Sequence, residues 1–138
     1  MSLFLKAIMS SEDFSSILVT KIMSTPLISI SPVTTALQIA KMMEQGDIGA
    51  IIVKENEISV GIITDRDFAT KIAANNLSFD IPVKKIMSSP LVTINHNESI
   101  SSAAKIMSSK KIRKLAVSEN GKIIGIITST DLVNQLAK

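Results

Sequence analysis

The chain repeats itself at a spacing of 64 residues, and this duplication limits its fold more than any other feature. Two motifs return at that spacing: KIMSTPLISI at 21–30 as KIMSSPLVTI at 85–94, and GIITDRD at 61–67 as GIITSTD at 125–131. With this shift, residues 19–74 align on residues 83–138 without a gap, and 21 of 56 positions are identical. The sequence therefore encodes one structural unit twice.

A helix is predicted in each copy, after a short strand that alternates apolar and hydroxylated residues. In copy one, Ser31 is the predicted N-cap and Pro32 the first helical residue. In copy two, Asn95 is the predicted N-cap and Glu98 completes a capping box. The predicted apolar faces of the two helices are Val33, Ala36, Leu37, Ala40 and Met43, and Ile100, Ala103, Ala104 and Met107.

Two further strands and a second helix complete each copy. The strands are predicted around residues 50–53 and 58–63, and around 115–117 and 122–127. The closing helices begin at Thr64 and Thr128. The order β-α-β-β-α occurs twice, and a unit of about 60 residues leaves much of its apolar surface exposed on its own. We therefore expect an α/β (α+β) fold, with two tandem repeats packed about a pseudo-two-fold axis.

The duplication also sets the predicted domain boundaries. Repeat 1 spans residues 19–74 and repeat 2 spans residues 83–138. Residues 75–82, NNLSFDIP, form the linker between them. Residues 1–18 form an N-terminal extension, which we predict to be a helix that packs on the body or on a second chain.

Composition argues against several classes of protein. The chain has no cysteine and a single histidine, His96, which excludes disulfides, thiolate nucleophiles and multi-histidine metal clusters. It has no P-loop and no recognisable catalytic triad, so we expect no enzyme, no metal and no required cofactor. The apolar runs are too short to cross a bilayer, and the opening residues make a poor secretion signal. We expect a cytoplasmic protein without membrane contact.

Positive charge is concentrated in the second half of the chain. Residues 80–138 carry nine basic and four acidic side chains, against six and eight in residues 1–79. Four of the nine form a basic cluster of Lys110, Lys111, Arg113 and Lys114. This cluster is either a solvated face or a binding surface. Nucleic-acid binding through it is the least favoured function, because Trp and Tyr, on which bases would stack, are absent.

The repeated motifs resemble those of the CBS domain (named for cystathionine β-synthase), and the tandem pair resembles a Bateman module. The motifs that carry the resemblance are IMSTP at 22–26, GIITDRD at 61–67, IMSSP at 86–90, KIRKLAV at 111–117 and GIITSTD at 125–131. The resemblance covers residues 19 to 138. It implies a regulatory module that assembles as a homodimer of pairs. It also implies that clefts between the repeats bind an adenosine-containing ligand.

The Gly-Ile-Ile-Thr-x-x-Asp motif has two interpretations. It places a hydroxyl and a carboxylate where a strand meets a helix N-terminus, and free N–H groups there favour an anion. Thr-x-x-Asp is also an N-terminal capping motif, worth about 1 kcal/mol. The resemblance favours binding, and implies that Asp67 and Asp131 hold a ribose while Thr64 and Thr128 lie near the ribose or phosphate.

The resemblance implies two unequal ligand sites. Site 1 consists of Thr64, Arg66, Asp67, Ser89, Pro90, Arg113 and Lys114. Site 2 consists of Thr25, Pro26, Gly49, Ala50, Thr128, Thr130 and Asp131. The basic residues of site 1 suit a phosphate. Site 2 has less positive charge, so we expect a nucleoside or a less charged ligand there, or none.

The leading functional hypothesis is a sensor of an adenosine-containing ligand, either an adenine nucleotide (AMP, ADP, ATP) or S-adenosylmethionine. Binding would change contacts within the dimer or with an unidentified effector protein. The alternative is a protein interaction or dimerisation module whose pockets are vestigial. Tight dimerisation without any response to nucleotide would favour the alternative.

Overall fold

The chain folds into two units that do not coincide with its two sequence repeats. The computed structural model describes Leu3 and residues 12–25 and 27–137. One unit, here called the central unit, is made of residues 28–91. The other, the split unit, joins residues 1–27 to residues 92–138. The first nine residues of each repeat are thus exchanged, because residues 19–27 pack with repeat 2 and residues 83–91 pack with repeat 1.

The elements follow the predicted order β-α-β-β-α twice, which confirms the mixed α/β fold. In chain order they are α1 (Glu12–Ser15), β1 (Ser29–Ile30), α2 (Ala36–Gly46), β2 (Ala50–Glu55), β3 (Ile58–Thr64), α3 (Asp65–Asp67), β4 (Thr93–Asn95), α4 (Ile100–Lys110), β5 (Lys114–Glu119), β6 (Lys122–Thr128) and α5 (Ser129–Leu136). Helix α3 continues as a π-helix, Phe68–Ala73, and short 3-10 helices cover Val19–Lys21 and Val83–Lys85. None of the helices in the described ranges is long and apolar enough to cross a membrane.

Each unit contains one three-stranded sheet with the same topology. The sheet orders are β1-β2-β3 and β4-β5-β6, and in each the first pair is parallel and the second antiparallel. The central strands β2 and β5 carry uninterrupted buried runs at residues 51–53 and 115–117. A strand with consecutive buried residues is covered on both faces and requires consecutive apolar residues. The apolar sequences of β2 and β5 meet this requirement.

Both hairpins close through two-residue turns with positive φ at both positions. Asn56 and Glu57 have φ of 52° and 65°, and Asn120 and Gly121 have φ of 51° and 79°. Turns of this kind match the twist of the strands and favour Asn followed by Gly. Glu57 therefore occupies a backbone conformation that its repeat counterpart, Gly121, adopts without steric cost.

Helices α2 and α4 begin later than the sequence predicts. Their N-caps are Thr35 and Ser99, so the predicted N-caps Ser31 and Asn95 are wrong. The side-chain oxygens of Ser31 and Asn95 instead accept hydrogen bonds from the backbone N–H two residues on, at 3.2 and 3.3 Å. Short polar side chains stabilise turns by accepting a backbone N–H hydrogen bond, and the same ability makes them good helix N-caps. The residue type at positions 31 and 95 therefore does not distinguish a turn from an N-cap.

The later start changes part of the predicted buried face of α2. Val33 precedes the helix and is 67% exposed, and Leu37 is 43% exposed, so both are wrong as core predictions. Ala36 is fully buried as predicted, and Met43 is partly buried against the same core, whereas the fully buried Ile39 was not in the predicted face. For α4 the prediction is confirmed, because Ile100, Ala103, Ala104 and Met107 all lie in the core of the split unit.

The exchanged segments are part of the two cores. Val83 and Ile86 are buried with α2, β2 and β3 in the central unit. Val19 is buried with α4, β5 and β6 in the split unit, together with Phe14 of α1. Of the predicted N-terminal helix, residues 12–15 are helical. Apart from Leu3, residues 1–11 lie outside the described part of the chain.

Candidate functional site

The first Thr-x-x-Asp motif lies at the junction of β3 and α3 in the central unit. Thr64 ends the strand, and Asp67 is the third residue of the helix. One carboxylate oxygen of Asp67, Oδ2, accepts hydrogen bonds from the backbone N–H of Thr64 at 2.9 Å and from its hydroxyl at 3.2 Å. These bonds satisfy an N–H at the start of the helix, which is the capping role that the sequence allowed.

The second carboxylate oxygen of Asp67 is also occupied. Oδ1 lies 3.0 Å from Nζ of Lys71 and accepts a hydrogen bond from the Ser88 hydroxyl at 3.3 Å. Asp67 is only 5% exposed, whereas the Lys71 side chain is 38% exposed. A buried carboxylate requires such partners, because an unpaired charge would be costly away from water.

A close approach between Gly61 and the segment after Ile86 brings Ser88 to Asp67. The backbone of Ser88 pairs with that of Ile62 through two hydrogen bonds of 2.8 and 3.1 Å. A Cβ on Gly61 would lie 2.9 Å from the Ser88 carbonyl oxygen and 2.7 Å from Sδ of Met87. The glycine therefore gives the exchanged segment room to lie against β3.

The second Thr-x-x-Asp motif joins β6 to α5 in the split unit and is more open. Oδ2 of Asp131 accepts a hydrogen bond from the Thr128 backbone N–H at 2.8 Å, and the Asp131 N–H donates to the Thr128 hydroxyl at 3.1 Å. Ser24, the counterpart of Ser88, pairs with the backbone of Ile126 in the same way. Within the described residues, however, no side chain donates to Oδ1 of Asp131, which is half-buried. Gln135 stands where repeat 1 has Lys71.

The predicted residues of site 1 fall in both units. Thr64 and Asp67 are in contact in the central unit. Arg66, Ser89 and Pro90 are exposed in the same unit, and the Ser89–Pro90 peptide bond is cis. Arg113 and Lys114 belong to the split unit. Their predicted grouping with Asp67 therefore draws on both units and stays a prediction.

The predicted residues of site 2 are similarly divided. Thr128 and Asp131 are in contact in the split unit, which also contains the exposed Thr25 and Thr130. Gly49 and Ala50 lie in the central unit beside β3, and Pro26 lies outside the described residues. The grouping of all seven stays a prediction.

Within the split unit, part of the basic cluster lies beside the second motif. Lys114 is the cross-strand partner of Thr128, and the carbonyl of Arg113 accepts a hydrogen bond from the Ser129 N–H at 2.8 Å. The sequence interpretation assigned both basic residues to the Asp67 site. The structure shows that they also flank the helix start that holds Asp131.

Sequence reasoning missed two partners of Asp67. Lys71 follows it by four residues, a helical spacing that favours an ion pair and that could have been recognised. Ser88 lies within the repeated IMSSP motif, one residue before the predicted Ser89. The described residues contain no group of three or more His, Cys, Asp or Glu side chains that could hold a metal ion.

Known proteins share both the sequence pattern and the fold. The family model described as CBS domain matches residues 19–74 and 83–138. The CBS domain-containing protein YhcV of Bacillus subtilis is 35% identical over 116 residues, 83% of each chain. An uncharacterized conserved protein from Pyrococcus horikoshii superposes with a TM-score of 0.85 at 27% identity, over 90% of this chain and 95% of that one. The CBS domain pair of protein MJ0100, whose structure was solved in complex with 5′-methylthioadenosine and S-adenosyl-L-methionine, superposes with a TM-score of 0.78 at 28% identity. The superposition covers 87% of this chain and 95% of that one.

Proposed function

Because the chain belongs to the CBS-domain family and carries two CBS domains, which form a regulatory module, we propose that it senses an adenosine-containing ligand. The observation that carries this proposal is the same carboxylate in both repeats, Asp67 and Asp131, at the junction of a strand and a helix. A similar CBS domain pair binds two adenosine derivatives, which supports this ligand class.

The chemistry of the motif suits the ribose of such a ligand. A carboxylate accepts hydrogen bonds, and the two adjacent hydroxyls of a ribose donate them in a matching arrangement. Oδ1 of Asp131 lacks a protein donor within the described residues, so it can accept a ribose hydroxyl without losing an existing bond. Thr128 and Thr64 are proposed to lie beside the ribose or phosphate.

The charge near the second motif favours a phosphorylated ligand. The backbones of Arg113 and Lys114 lie beside the start of α5, where the positive end of the helix dipole also attracts an anion. A nucleotide such as AMP, ADP or ATP carries negative charge, whereas the sulfonium of S-adenosylmethionine is positive. We therefore propose a nucleotide as the preferred ligand of the class.

The proposed output is a change in protein contacts. CBS-domain proteins of this kind are typically regulatory rather than catalytic. A ligand that binds one arrangement of a homodimer or effector complex more tightly than another shifts the population toward it. The signal thus passes to a partner protein rather than to a reaction.

Calorimetric titration with AMP, ADP, ATP, NAD, S-adenosylmethionine and 5′-methylthioadenosine tests the proposal. At 100 times its Kd, a ligand also stabilises the fold by about 2.7 kcal/mol, which thermal unfolding can detect. We expect Asp131→Ala and Asp67→Ala each to weaken binding. Asp80→Ala, an exposed carboxylate outside both motifs, is the matched control and should leave it unchanged. If no ligand of this set binds, or if the double alanine variant binds fully, the proposal is wrong.

One observation favours the alternative, an interaction module. Leu37 and Phe79 are joined by a backbone hydrogen bond of 3.0 Å, and the two residues are 43% and 52% exposed. Exposed apolar side chains that lie together are typical of surfaces that bind another protein. Sedimentation equilibrium of wild type and Phe79→Ser measures whether this surface supports a homodimer. A dimer that ignores every nucleotide would favour this alternative over sensing.

A further inference from the structure

We propose that Lys71 is a specificity-determining residue that makes the two aspartates unequal. It occupies the carboxylate of Asp67 as an internal counter-ion, so that an adenosine-type ligand binds through Asp131 first. This inference rests on the proposed function, because it ranks the two carboxylates as partners of a ribose.

The hydrogen bonds of Asp67 leave little capacity for a ligand. A carboxylate offers about four lone-pair positions. Asp67 already accepts from the N–H and hydroxyl of Thr64, from Nζ of Lys71 and from the hydroxyl of Ser88. A ribose that donates two hydrogen bonds must therefore displace at least one of these donors.

The same comparison leaves Asp131 available. Its carboxylate accepts from the Thr128 N–H, and no second donor reaches it within residues 12–25 and 27–137. It is also half-buried, whereas Asp67 is 5% exposed. A ligand reaches Asp131 without breaking an existing bond to its Oδ1.

Lys71 accounts for more of this difference than Ser88 does. Serine occupies the equivalent position, Ser24, in the other repeat, so the hydroxyl alone does not distinguish the two motifs. Lys71 is replaced by the neutral Gln135. The ammonium makes a charge-assisted bond, which is stronger than one between neutral groups. It is also held in place by the carbonyl of Ile86, at 2.8 Å.

The backbone around Lys71 also departs from its repeat counterpart. Residues Phe68–Ala73 form a π-helix, in which the N–H of Ala74 reaches back five residues to the carbonyl of Ala69. The corresponding part of the split unit is the regular α-helix α5. Isolated π-helical turns are rare and occur often at functional sites. The irregular turn thus coincides with the residue that occupies Asp67.

The repeat itself supplies the matched variants. Asp131→Ala isolates the Asp67 motif and Asp67→Ala isolates the Asp131 motif. Lys71→Gln is then added to the Asp131→Ala protein, and Gln135→Lys is added to the Asp67→Ala protein. Each remaining motif thereby receives the residue that the other motif has at this position. Lys41→Gln, an exposed lysine of α2, serves as the control. Each protein is titrated with adenosine and, separately, with AMP by calorimetry.

We expect adenosine to bind about tenfold more weakly through Asp67 than through Asp131, the effect of one displaced charge-assisted bond. Lys71→Gln should raise the affinity for adenosine about tenfold in the Asp131→Ala protein. Gln135→Lys should lower that affinity about tenfold in the Asp67→Ala protein. Amide NMR of the unmodified protein checks the order without any variant. The signal of Thr128 should shift at lower ligand concentration than that of Thr64.

Three results would overturn the inference while leaving the proposed function intact. Lys71→Gln would have no effect if the ion pair were merely structural. The Lys71→Gln substitution would weaken the binding of AMP but not that of adenosine if Lys71 bound the phosphate. The Thr64 amide would shift first if Asp67 were the preferred partner. If neither adenosine nor AMP binds to any of these proteins, the inference and the proposed function for these ligands both fail.

Discussion

Removing the carboxylate of Asp67 should destabilise the protein more than removing that of Asp131. The two residues occupy the same position in the two repeats, and each caps the N-terminus of a helix. They differ in what else they hold. Asp67 joins β3, the π-helix and the exchanged segment through Thr64, Lys71 and Ser88.

The magnitude follows from the bonds that each alanine removes. Loss of the capping bond costs about 1 kcal/mol in either variant. Asp67→Ala also removes the bond from the Ser88 hydroxyl, about 1 kcal/mol. The pair with the partly exposed Lys71 contributes about 0.5 kcal/mol, since solvent screens it. We expect a loss of about 2–3 kcal/mol for Asp67→Ala and about 1 kcal/mol for Asp131→Ala.

Circular dichroism is the appropriate assay, because the chain has no Trp or Tyr to report unfolding by fluorescence. For a chain of this length, 1 kcal/mol lowers the midpoint of thermal unfolding by roughly 4 °C. The midpoint should therefore fall by roughly 10 °C for Asp67→Ala and roughly 4 °C for Asp131→Ala, measured without ligand. Equal losses for the two variants would refute the argument that Asp67 carries additional structural bonds.

Three further predictions concern a turn, a close backbone approach and a helix N-cap. Glu57→Gly should stabilise the protein by about 1 kcal/mol, because glycine adopts the positive φ of this turn without strain. Gly121→Ala should destabilise it by a similar amount. Urea unfolding measures both changes, and no gain for Glu57→Gly would contradict this prediction. Gly61→Ala should cost about 1–3 kcal/mol, since its Cβ would meet the Ser88 carbonyl at 2.9 Å, and a neutral result in the same assay would disprove the close approach. Thr35→Ala should cost about 1 kcal/mol and Ser31→Ala much less, which would locate the true N-cap of α2 by unfolding measurements.

The fold was largely predictable because the duplication shows each pattern twice. Alternation and turn residues located the strands, and the Thr-x-x-Asp motifs located the starts of α3 and α5. The N-caps of α2 and α4 were not predictable in the same way. Ser31 and Thr35 are both good caps, and only the packing of Ala36 and Ile39 selects the later one.

The exchange of the first nine residues could not be predicted from the residues alone. The segments at 19–27 and 83–91 have nearly the same sequence, so either one would suit either core. The state of Asp67 depends on that exchange, because Ser88 reaches it from the segment that repeat 2 contributes. The sequence thus predicted which carboxylates lie at the strand–helix junctions, but not which of them already had partners.

The division of the split unit into two stretches of chain bears on how the protein folds as it is synthesised. The central unit is continuous and has all its residues once residue 91 has been added. Phe14 and Val19 belong to a core that the ribosome completes only with residues 92–138. At a synthesis rate of about 5–20 residues per second, residues 92–138 take roughly 2–10 s to add, and for that time after the central unit is complete these apolar side chains still lack part of their core. During that interval the N-terminal segment is open to chaperones that bind exposed apolar chain, whereas the central unit can already be folded.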